Sequence, residues 1–297
     1  MAIVLGDNRY GKAEIRMVRV VRDAGLHEIA DLNVSVALSG DLADTHLSGD
    51  NTKVLPTDTQ KNTVYAFARE HPIGAIEEFA LLLGRHFVAG FPSIHRARVT
   101  IEEYPWERIE VSSGPHPHAF SRGGGGTRIT QVTVCGEGTE APGEEHVVSG
   151  LDDLVVLKTT GSEFHGYLKD RYTTLPETRD RILATAVTAR WRYMRAGGVD
   201  WSTVHAGVRH VLLEAFAATH SLSLQQTLHA MGGAALGAHP QIAEIRLSLP
   251  NRHHIAVDLA PFGLDNPNVV FHADDRPYGL IEGTVRRDDV PDRPAAW

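Results

Sequence analysis

A threonine followed by an aspartate, at the predicted start of a helix, is the first pair of residues that could do chemistry. Thr57 and Asp58 lie in the segment Leu55-Pro56-Thr57-Asp58-Thr59-Gln60-Lys61-Asn62-Thr63, directly before an apolar pattern of helical period. The ordinary interpretation is helix capping, because Thr57-x-x-Gln60 has the spacing of a capping box with Pro56 just outside it. The free N–H groups of a helix start also suit an anionic ligand, so both interpretations can hold together.

A lysine near the beginning of the chain is the second candidate. Lys12 follows Tyr10-Gly11, and Arg9 and Arg16 are close by in the sequence. A lysine among other cations in a strand is usually a solvated surface charge. Partial burial beside other cations would favour the neutral amine, which is a usable base.

An asparagine and a histidine follow Leu249-Pro250 and form the third candidate. Asn251 and His253 have the same parity as three apolar residues further on, Ile255, Val257 and Leu259. Strand alternation therefore predicts that both project from an apolar face, towards the interior or a pocket. A lone histidine in that position is more often a satisfied core residue than a catalyst, but the asparagine beside it favours a functional site.

These segments, in this order, resemble the catalytic residues of the urate oxidase (uricase) family, which oxidises a purine with molecular oxygen and no cofactor. The resemblance implies that Lys12 and Thr57 form a base dyad, which His253 supports through hydrogen bonds. It implies that the backbone of Asp58 contacts the substrate and that Asn251 lies next to the oxygen site. No cofactor and no metal are expected.

Further segments extend the resemblance into the second half of the chain. Residues 157–166 and 171–175 match the family pattern, and they lead on to Arg181. By resemblance, Phe164 stacks on the purine and Arg181 holds its carbonyl edge, as expected for a planar ring and a pair of acceptors. In isolation, a core phenylalanine and an exposed arginine would be the simpler interpretations. Leu224, through its backbone, and Gln225, through its amide, are expected to contact the substrate at a helix start.

The activity implied is the conversion of urate, O₂ and water to 5-hydroxyisourate and hydrogen peroxide in purine catabolism. In the family, half of each site comes from a neighbouring subunit, so a homotetramer is expected, with active sites at its subunit interfaces. Two other interpretations stay open: a non-catalytic purine- or pterin-binding protein of the same fold, and a pterin enzyme of that fold. The complete Lys12, Thr57 and His253 set argues against the first. Gln225, where pterin enzymes use a glutamate, argues against the second.

The composition is that of a soluble globular protein. The chain has 297 residues, of which 42% are hydrophobic and 22% charged, enough for one large domain or two ordinary ones. A formal net charge of −8 argues against nucleic-acid and anionic-membrane partners, although a local cation could still bind an anionic substrate. Cys135 is the only cysteine, and no signal-peptide pattern or membrane-spanning apolar run is present, so a cytoplasmic location is predicted.

Two other features are weaker signals. The chain has 17 histidines, and His116-Pro117-His118 is the best local cluster. It lacks a second pair at ligand spacing, so a specific metal site is not predicted. The four glycines at 123–126 lack the strand and helix of a phosphate loop, and they are better explained as a hairpin tip.

The elements that must position these residues follow from hydrophobic periodicity. Alternation predicts strands over 10–40, 96–136, 148–195 and 242–287, and helical spacing predicts helices over 59–90 and 201–238. An aperiodic Gly/Pro/Glu stretch at 136–143 predicts two units, 1–140 and 141–297. Antiparallel sheets with helices on one face make the fold α+β. The resemblance further implies two tandem T-fold (tunnelling-fold) units that assemble into a barrel across subunits.

Overall fold

The computed structural model describes residues 1–22 and 25–297. Asp23 and Ala24, inside the predicted strand region 10–40, lie outside the described residues. The chain forms two compact units. Unit 1 comprises Met1–Gly150, Arg192–Ser202 and Pro291–Trp297, and unit 2 comprises Leu151–Trp191 and Thr203–Val290. The boundary expected between residues 140 and 141 stays a prediction.

Unit 1 contains an antiparallel sheet, three helices and a separate two-stranded ribbon. In chain order its elements are β1 (Tyr10–Val21), β2 (Glu28–Gly40), α1 (Ala43–Leu47), α2 (Thr57–Glu70), α3 (Ile76–Gly90), β3 (Ile94–Glu103), β4 (Trp106–Val111), β5 (Gly114–Arg122) and β6 (Thr127–Cys135). The hydrogen-bonded order in the sheet is β1-β2-β3-β6, and β4 pairs with β5.

The core of unit 1 lies between the sheet and its helices. The predicted alternation of β2 is confirmed, since Leu32, Val34, Val36 and Leu38 are all at most 3% exposed. Helix α2 packs on β1, and α3 packs on β3 and β6. Gly84 allows α3 to approach the sheet, because a Cβ there would lie 2.7 Å from the Val134 Cγ2. The register places Val134 opposite Ala97, so the buried face of the sheet is the one that the helices cover.

Unit 2 repeats the order of strands, two helices and strands. Its elements are β7 (Glu145–Lys158), β8 (Leu183–Tyr193), α4 (Trp201–Ala218), α5 (Leu224–Ala238), β9 (Ile242–Pro250), β10 (His253–Ala256), β11 (Phe271–Asp274) and β12 (Leu280–Arg286). Strands β7 and β8 and helix α4 each begin or end in unit 1. The sheet order is β7-β8-β9-β12, and β10 pairs with β11. Helix α5 packs on β9 and β12.

The predicted α+β class is therefore confirmed, with antiparallel strands and helices in both units. Helical stripes that the spacing predicted are buried, including Phe79, Leu83 and Phe87 in α3 and Leu228 and Met231 in α5. The long predicted strand region 148–195 is interrupted, since residues 159–182 form a loop between β7 and β8. This loop carries two of the candidate site residues.

Candidate functional site

Backbone geometry explains the glycine of Tyr10-Gly11-Lys12. A Cβ on Gly11 would lie 1.8 Å from the Val36 carbonyl oxygen, so only glycine fits at this position. Directly afterwards, the pairing of β1 with β2 shifts between Lys12 and Ile15. Such a bulge inserts an extra residue and changes the direction in which the neighbouring side chains point. The motif is thus a local distortion of an edge strand next to a candidate catalytic residue.

The bulge leaves Lys12 on the face of the sheet that the helices cover. Lys12 pairs with Val36, and Tyr10 pairs with Leu38. Residues directly opposite each other in an antiparallel pair share a face, and both partners on β2 are buried. Lys12 itself is half-buried. Its side chain therefore leaves β1 on the side where α2 packs.

The hydroxyl of a half-buried tyrosine joins β1 to the segment before α2. The Tyr10 hydroxyl accepts a hydrogen bond from the Leu55 N–H, at 2.9 Å, and donates one to the Leu55 carbonyl, at 3.1 Å. Burial raises the pKa of Tyr10, so the hydroxyl stays neutral and can both donate and accept. Leu55 is two residues before Thr57. The first two candidate segments are therefore held together by hydrogen bonds.

The capping-box prediction for Thr57 is wrong. Thr57 is the first helical residue, and Pro56 occupies the N-cap position without a side-chain cap. Gln60 is fully buried and its amide donates to the Leu55 carbonyl, at 3.2 Å, so it does not form the reciprocal bond of a capping box. Proline fills the cap because the chain enters α2 with extended backbone. The Thr57 hydroxyl is consequently not used for capping.

Asp58 is exposed at the first turn of α2. A hydrogen bond and the charge of Lys61 lower the pKa of its carboxyl, and the more distant charge of Lys12 adds a smaller effect in the same direction. The carboxyl is therefore occupied by Lys61, and the backbone N–H at this helix start is the group that the expected substrate contact would use. Lys12, Thr57 and Asp58 all belong to unit 1.

Phe164 and Arg181 are brought together in the loop between β7 and β8 of unit 2. Phe164 exchanges two backbone hydrogen bonds with Thr178, of 2.8 and 3.0 Å. Arg181 donates from its N–H to the Ser162 carbonyl, at 2.9 Å, and from Nε to the Ser162 hydroxyl, at 3.2 Å. Its guanidinium carbon lies 5.3 Å from the centroid of the Phe164 ring. Burial lowers the pKa of Arg181, but a guanidinium stays protonated in proteins.

A second aromatic ring supports Phe164. Tyr167 stacks on it with a centroid distance of 4.8 Å and an interplanar angle of 18°. Stacked rings of this kind gain free energy beyond their buried area. This contact orients the Phe164 ring, whose backbone the Thr178 pairing already fixes.

Hydrogen bonds connect the same loop to the start of α5. Glu163 donates from its N–H to the Ser221 carbonyl, at 2.7 Å, and the Ser221 hydroxyl lies 2.5 Å from that of Thr227. Ser223 caps the helix by accepting from the Gln226 N–H, at 3.1 Å. The predicted helix start is therefore confirmed, and it lies beside the Phe164 loop.

The two candidates at this helix start differ in exposure. The Leu224 side chain is buried, and its backbone N–H lies in the first turn of α5, outside the Ser223–Gln226 capping bond. The Gln225 side chain is exposed, so its amide is free to point at a ligand. These positions fit a backbone contact and a side-chain contact respectively.

Asn251 and His253 follow the end of β9. Asn251 forms an isolated bridge with Thr185 and donates from its N–H to the Gly279 carbonyl, at 2.8 Å. Thr185 is four residues after Arg181, so the Asn251 bridge and the Arg181 loop share the same end of β8. His253 pairs with Asp274 in the ribbon of β10 and β11 and lines a cavity of about 280 Å³.

The expected apolar face beneath His253 is not buried within the chain. Strand β10 ends at Ala256, whereas the alternation predicted that it continues to Leu259, and Ile255 is 55% exposed. A two-stranded ribbon has no sheet core on which to bury this face. Of the two alternatives predicted for this face, the interior or a pocket, the structure agrees with a pocket for His253, which lines the cavity.

Two supporting groups were not predicted. The Lys158 ammonium donates to the Phe216 carbonyl, at 3.5 Å, to the Thr219 carbonyl and to the Ser221 hydroxyl, at 2.9 Å. These acceptors lie at the end of α4 and just after it, where a cation is favoured. Burial lowers the pKa of Lys158. The partners are about sixty residues away in the chain, so no local pattern could have indicated the contact.

The second group surrounds Glu163. Its carboxylate accepts hydrogen bonds from His220, at 2.7 Å, and from His165, at 2.9 Å. Arg179 lies 3.8 Å away. Hydrogen bonds from His220 first, and from His165, lower the pKa of Glu163. This cluster braces the backbone directly before Phe164.

The site residues define a class of chemistry. Unit 1 offers an amine and a hydroxyl near an uncapped helix start, which suits proton transfer. Unit 2 offers an aromatic face, a guanidinium and a free amide, which together suit a flat, anionic ring with carbonyl edges. An α+β protein of two repeated units with these groups is a candidate enzyme acting on a heterocyclic anion.

Comparison with known proteins gives the family. A sequence model of the family described as uricase matches residues 8–133 and 147–282. The chain is 53% identical to the uricase of Arthrobacter globiformis over 286 residues, covering 96% of this chain and 91% of that protein. It is 40% identical to the uricase of Dictyostelium discoideum over 284 residues, covering 95% and 96%. The chain therefore belongs to the uricase family.

Solved structures agree with this assignment. The crystal structure of the Arthrobacter globiformis uricase matches with a TM-score of 0.93 at 52% identity, covering 99% of each chain. Its fold, together with the two segments of the chain that the family model matches, confirms two tandem repeats of the predicted fold. The chain is an enzyme, an oxidoreductase with urate oxidase activity, as the resemblance implied. Among the described residues, no helix is long and apolar enough to cross a membrane.

Proposed function

We propose that this chain oxidises urate through a proton-transfer network of Lys12, Thr57 and His253. Urate, O₂ and water give 5-hydroxyisourate and hydrogen peroxide. The observation that carries the proposal is the position of Lys12 on the helix-covered face of β1, where the Tyr10 hydrogen bonds hold the segment that leads into Thr57. An amine and an uncommitted hydroxyl on connected segments are suited to relay a proton.

Substrate binding falls to unit 2 and to the start of α2. Urate binds as an anion, with Phe164 against its ring and Arg181 on its carbonyl edge. The 5.3 Å distance between the guanidinium and the ring supports this, because one planar ligand can contact both groups. Gln225 pairs with the purine edge as donor and acceptor. Backbone N–H groups of Leu224 and Asp58 complete the contacts.

The chemistry starts with removal of a further proton from the bound urate by the Lys12–Thr57 dyad, with His253 in support. The resulting electron-rich dianion transfers two electrons to O₂ beside Asn251, and O₂ takes up two protons to become hydrogen peroxide. Water then adds at C5 of the oxidised ring. The dianion itself reduces O₂, so the proposal requires no cofactor. Preorganised hydrogen bonds are the main catalytic contribution.

The test follows urate absorbance in excess chelator, together with oxygen uptake and peroxide release. Wild-type protein is expected to consume urate and O₂ in equal amounts. Lys12→Met is expected to lower kcat by roughly 10²–10⁴-fold while urate still binds, which is the usual size of a lost general base. Lys53→Met is the matched control, because the Lys53 ammonium binds Asp41, just before α1, and Asp44, in α1, and forms no ion pair with the described candidate site residues. Unchanged turnover in Lys12→Met contradicts the dyad, and bound urate without wild-type turnover favours a non-catalytic binding protein.

The working unit in this proposal is a homotetramer whose sites lie at subunit interfaces. Thr57 and Asp58 of one protomer face Phe164 and Arg181 of another, and the sheets close into a barrel. The candidate residues are divided between the two units of the chain, which supports this arrangement. The proton-transfer residues of unit 1 in one copy could then meet the substrate-binding residues of unit 2 in another.

Subunit complementation tests the shared site. Lys12→Met and Arg181→Gln variants, each inactive or nearly so, are co-expressed in equal amounts. Sites built from two protomers are expected to recover about a quarter of wild-type activity. In a random mixture, about half of the protomers that supply Lys12 to a site and about half of those that supply Arg181 are intact, so about a quarter of the sites have both residues. A site contained in one chain would recover nothing. Full activity in a monomeric fraction would also contradict the proposal.

A reducing compartment such as the cytoplasm is also part of the proposal. Cys135 is a buried free thiol and is the only cysteine of the chain. Urate oxidase activity in the cytosolic fraction of the source cells would agree with this location. Activity confined to another fraction would contradict it.

A further inference from the structure

Three arginines line one cavity of unit 1, away from the residues proposed for oxidation. The cavity has a volume of about 730 Å³. Its cationic walls are Arg9, Arg96 and Arg98. The remaining lining is Ala37, Ser39, Gly40 and the segment 5–8. The chain as a whole is acidic, so this concentration of positive charge is local.

Strand register places Arg96 and Arg98 on the uncovered face of the sheet. Arg96 pairs with Ser39, and Arg98 pairs with Ala37. The intervening Ala97 is completely buried on the helix-covered face, so Arg96 and Arg98 point the other way. Serine and alanine opposite the arginines leave room for the long side chains and for a ligand. Lys12 lies on the opposite, helix-covered face.

No carboxylate balances the three charges within residues 1–22 and 25–297. The Arg96 Nε is buried without a hydrogen-bond partner. Arg98 binds only neutral groups, the Thr133 hydroxyl at 3.2 Å and the Ala295 carbonyl at 3.0 Å. Asp7 also lines the cavity, but it is exposed and forms no ion pair with any of the three arginines.

Some arginines elsewhere in the chain are paired with carboxylates. Arg128 contacts the buried Glu77, at 2.7 Å, and Arg190 contacts Asp152, also at 2.7 Å. Within the cavity, by contrast, burial and then the charges of Arg9 and Arg96 lower the pKa of Arg98. Like charges held close together destabilise a fold unless an anion offsets them.

We propose that this cavity is a binding site for a phosphate group, either as free inorganic phosphate or as part of a nucleotide. Guanidinium groups match tetrahedral oxyanions through paired N–H donors, and three of them suit a dianion. A volume of about 730 Å³ is in the range of small-molecule sites and exceeds what a single ion fills. The site is independent of the proposed urate oxidation.

Isothermal titration calorimetry of the whole protein tests the proposal. Inorganic phosphate and adenosine 5′-monophosphate are titrated separately, at a constant ionic strength set with chloride. Saturable binding of at least one is expected, and Arg96→Gln is expected to weaken it at least tenfold, the loss of about one charge-assisted contact. Arg98→Gln should act in the same direction. Arg69→Gln, which removes an exposed charge from the last turn of α2, should bind like wild type.

The two ligands distinguish the sources of phosphate. Tighter binding of the nucleotide would identify a nucleotide site, and equal binding would identify a site for the phosphate group alone. Urate oxidation measured without phosphate is expected to be unchanged in Arg96→Gln, which also shows that the variant is folded. Absence of saturable binding of either ligand to wild type overturns the proposal. Binding that chloride removes equally well, or that both arginine substitutions leave unchanged, also overturns it.

Discussion

Units 1 and 2 repeat one plan of strands and two helices, yet they place their candidate site residues on different helices. In unit 1, Thr57 and Asp58 begin the first helix of the pair, α2. In unit 2, Leu224 and Gln225 lie at the beginning of the second helix, α5. The repeat therefore preserves the scaffold but not the position of the chemistry.

The two helix starts are also held differently. In unit 1, a tyrosine from β1 and the buried Gln60 both bind Leu55, and no side chain caps α2. In unit 2, Ser223 caps α5 directly. An N-terminal hydroxyl that does not cap is available for another role. The comparison indicates that unit 1 keeps the Thr57 hydroxyl uncommitted by fixing the chain from outside the helix.

The largest predicted effect compares a strand glycine in each unit. A Cβ at Gly11 would meet the Val36 backbone oxygen at 1.8 Å, whereas one at Gly283 would meet the flexible Leu228 side chain at 2.9 Å. Gly11→Ala is expected to cost about 3 kcal/mol or more, the upper end for overpacking, because a backbone cannot move aside. Gly283→Ala is expected to cost about 1 kcal/mol or less, since Leu228 can change rotamer.

Thermal unfolding midpoints at one protein concentration, with urate oxidation as a second readout, check this pair. Gly11→Ala should lose both stability and activity, because the bulge that positions Lys12 follows directly. Gly283→Ala should retain most of its activity. Equal midpoints in the two variants would show that β1 can separate from β2 at this point, and would remove the structural reason for the glycine.

The comparison also shows what the sequence could predict. The alternation in β2 and the stripe in α3 agree with the structure because one face of each element is buried in the core between the sheet and its helices, and a buried face repeats with the period of its element. The same reasoning made β10 too long, since this strand ends at Ala256 in a ribbon with no core beneath it and Ile255 is exposed. Periodicity reports burial only where a second layer exists.

Long-range polar contacts were beyond local patterns. Lys158 and Glu163 bind groups near residue 220, and nothing in either neighbourhood of the sequence indicates the pairing. The spacing of Thr57 and Gln60 predicts a capping box, but Pro56 occupies the N-cap position and the Gln60 amide binds the Leu55 carbonyl instead. The tandem fold and the substrate came from the family resemblance, not from composition or periodicity.

An intermediate loss of stability is expected when the start of α2 or of α5 loses the side-chain hydroxyl that holds it. Tyr10→Phe removes a hydroxyl that both accepts from and donates to Leu55, so the Leu55 N–H loses its partner and the Leu55 carbonyl keeps only the Gln60 amide. The expected cost is about 1–3 kcal/mol, the penalty for an unsatisfied buried group. Ser223→Ala removes only the cap of α5, with an expected cost of about 1 kcal/mol.

Activity separates the two variants more sharply than stability does. Tyr10→Phe should lower kcat, because the segment that leads to Thr57 is released, while Ser223→Ala should mainly raise KM through Leu224 and Gln225. Steady-state kinetics of both variants at saturating O₂ give the two constants. The reverse pattern would contradict the assignment of proton transfer to unit 1 and substrate binding to unit 2.

The smallest predicted effect is a loss of stability at acid pH in the loop that carries Phe164. Hydrogen bonds from His220 and His165 lower the pKa of Glu163 below the usual glutamate value of about 4.3. A carboxyl with a lowered pKa in the folded state contributes stability above its unfolded pKa. That contribution is lost as the pH falls through the lower, folded value. The loop should therefore become less stable below about pH 4, and Glu163→Gln should remove this pH dependence.

An ion pair of unit 1 gives the matched control. Lys53 lowers the pKa of Asp41 through a similar exposed contact, far along the chain from Phe164, so Asp41→Asn should change the acid unfolding but not the loop. Cleavage of residues 159–182 by an acid-active protease, measured from pH 5 down to pH 3, reports on the loop itself. Added salt should weaken both effects, since exposed pairs are screened. If Glu163→Gln left the pH dependence of loop cleavage unchanged, the histidine–glutamate cluster would not be what holds Phe164 in place.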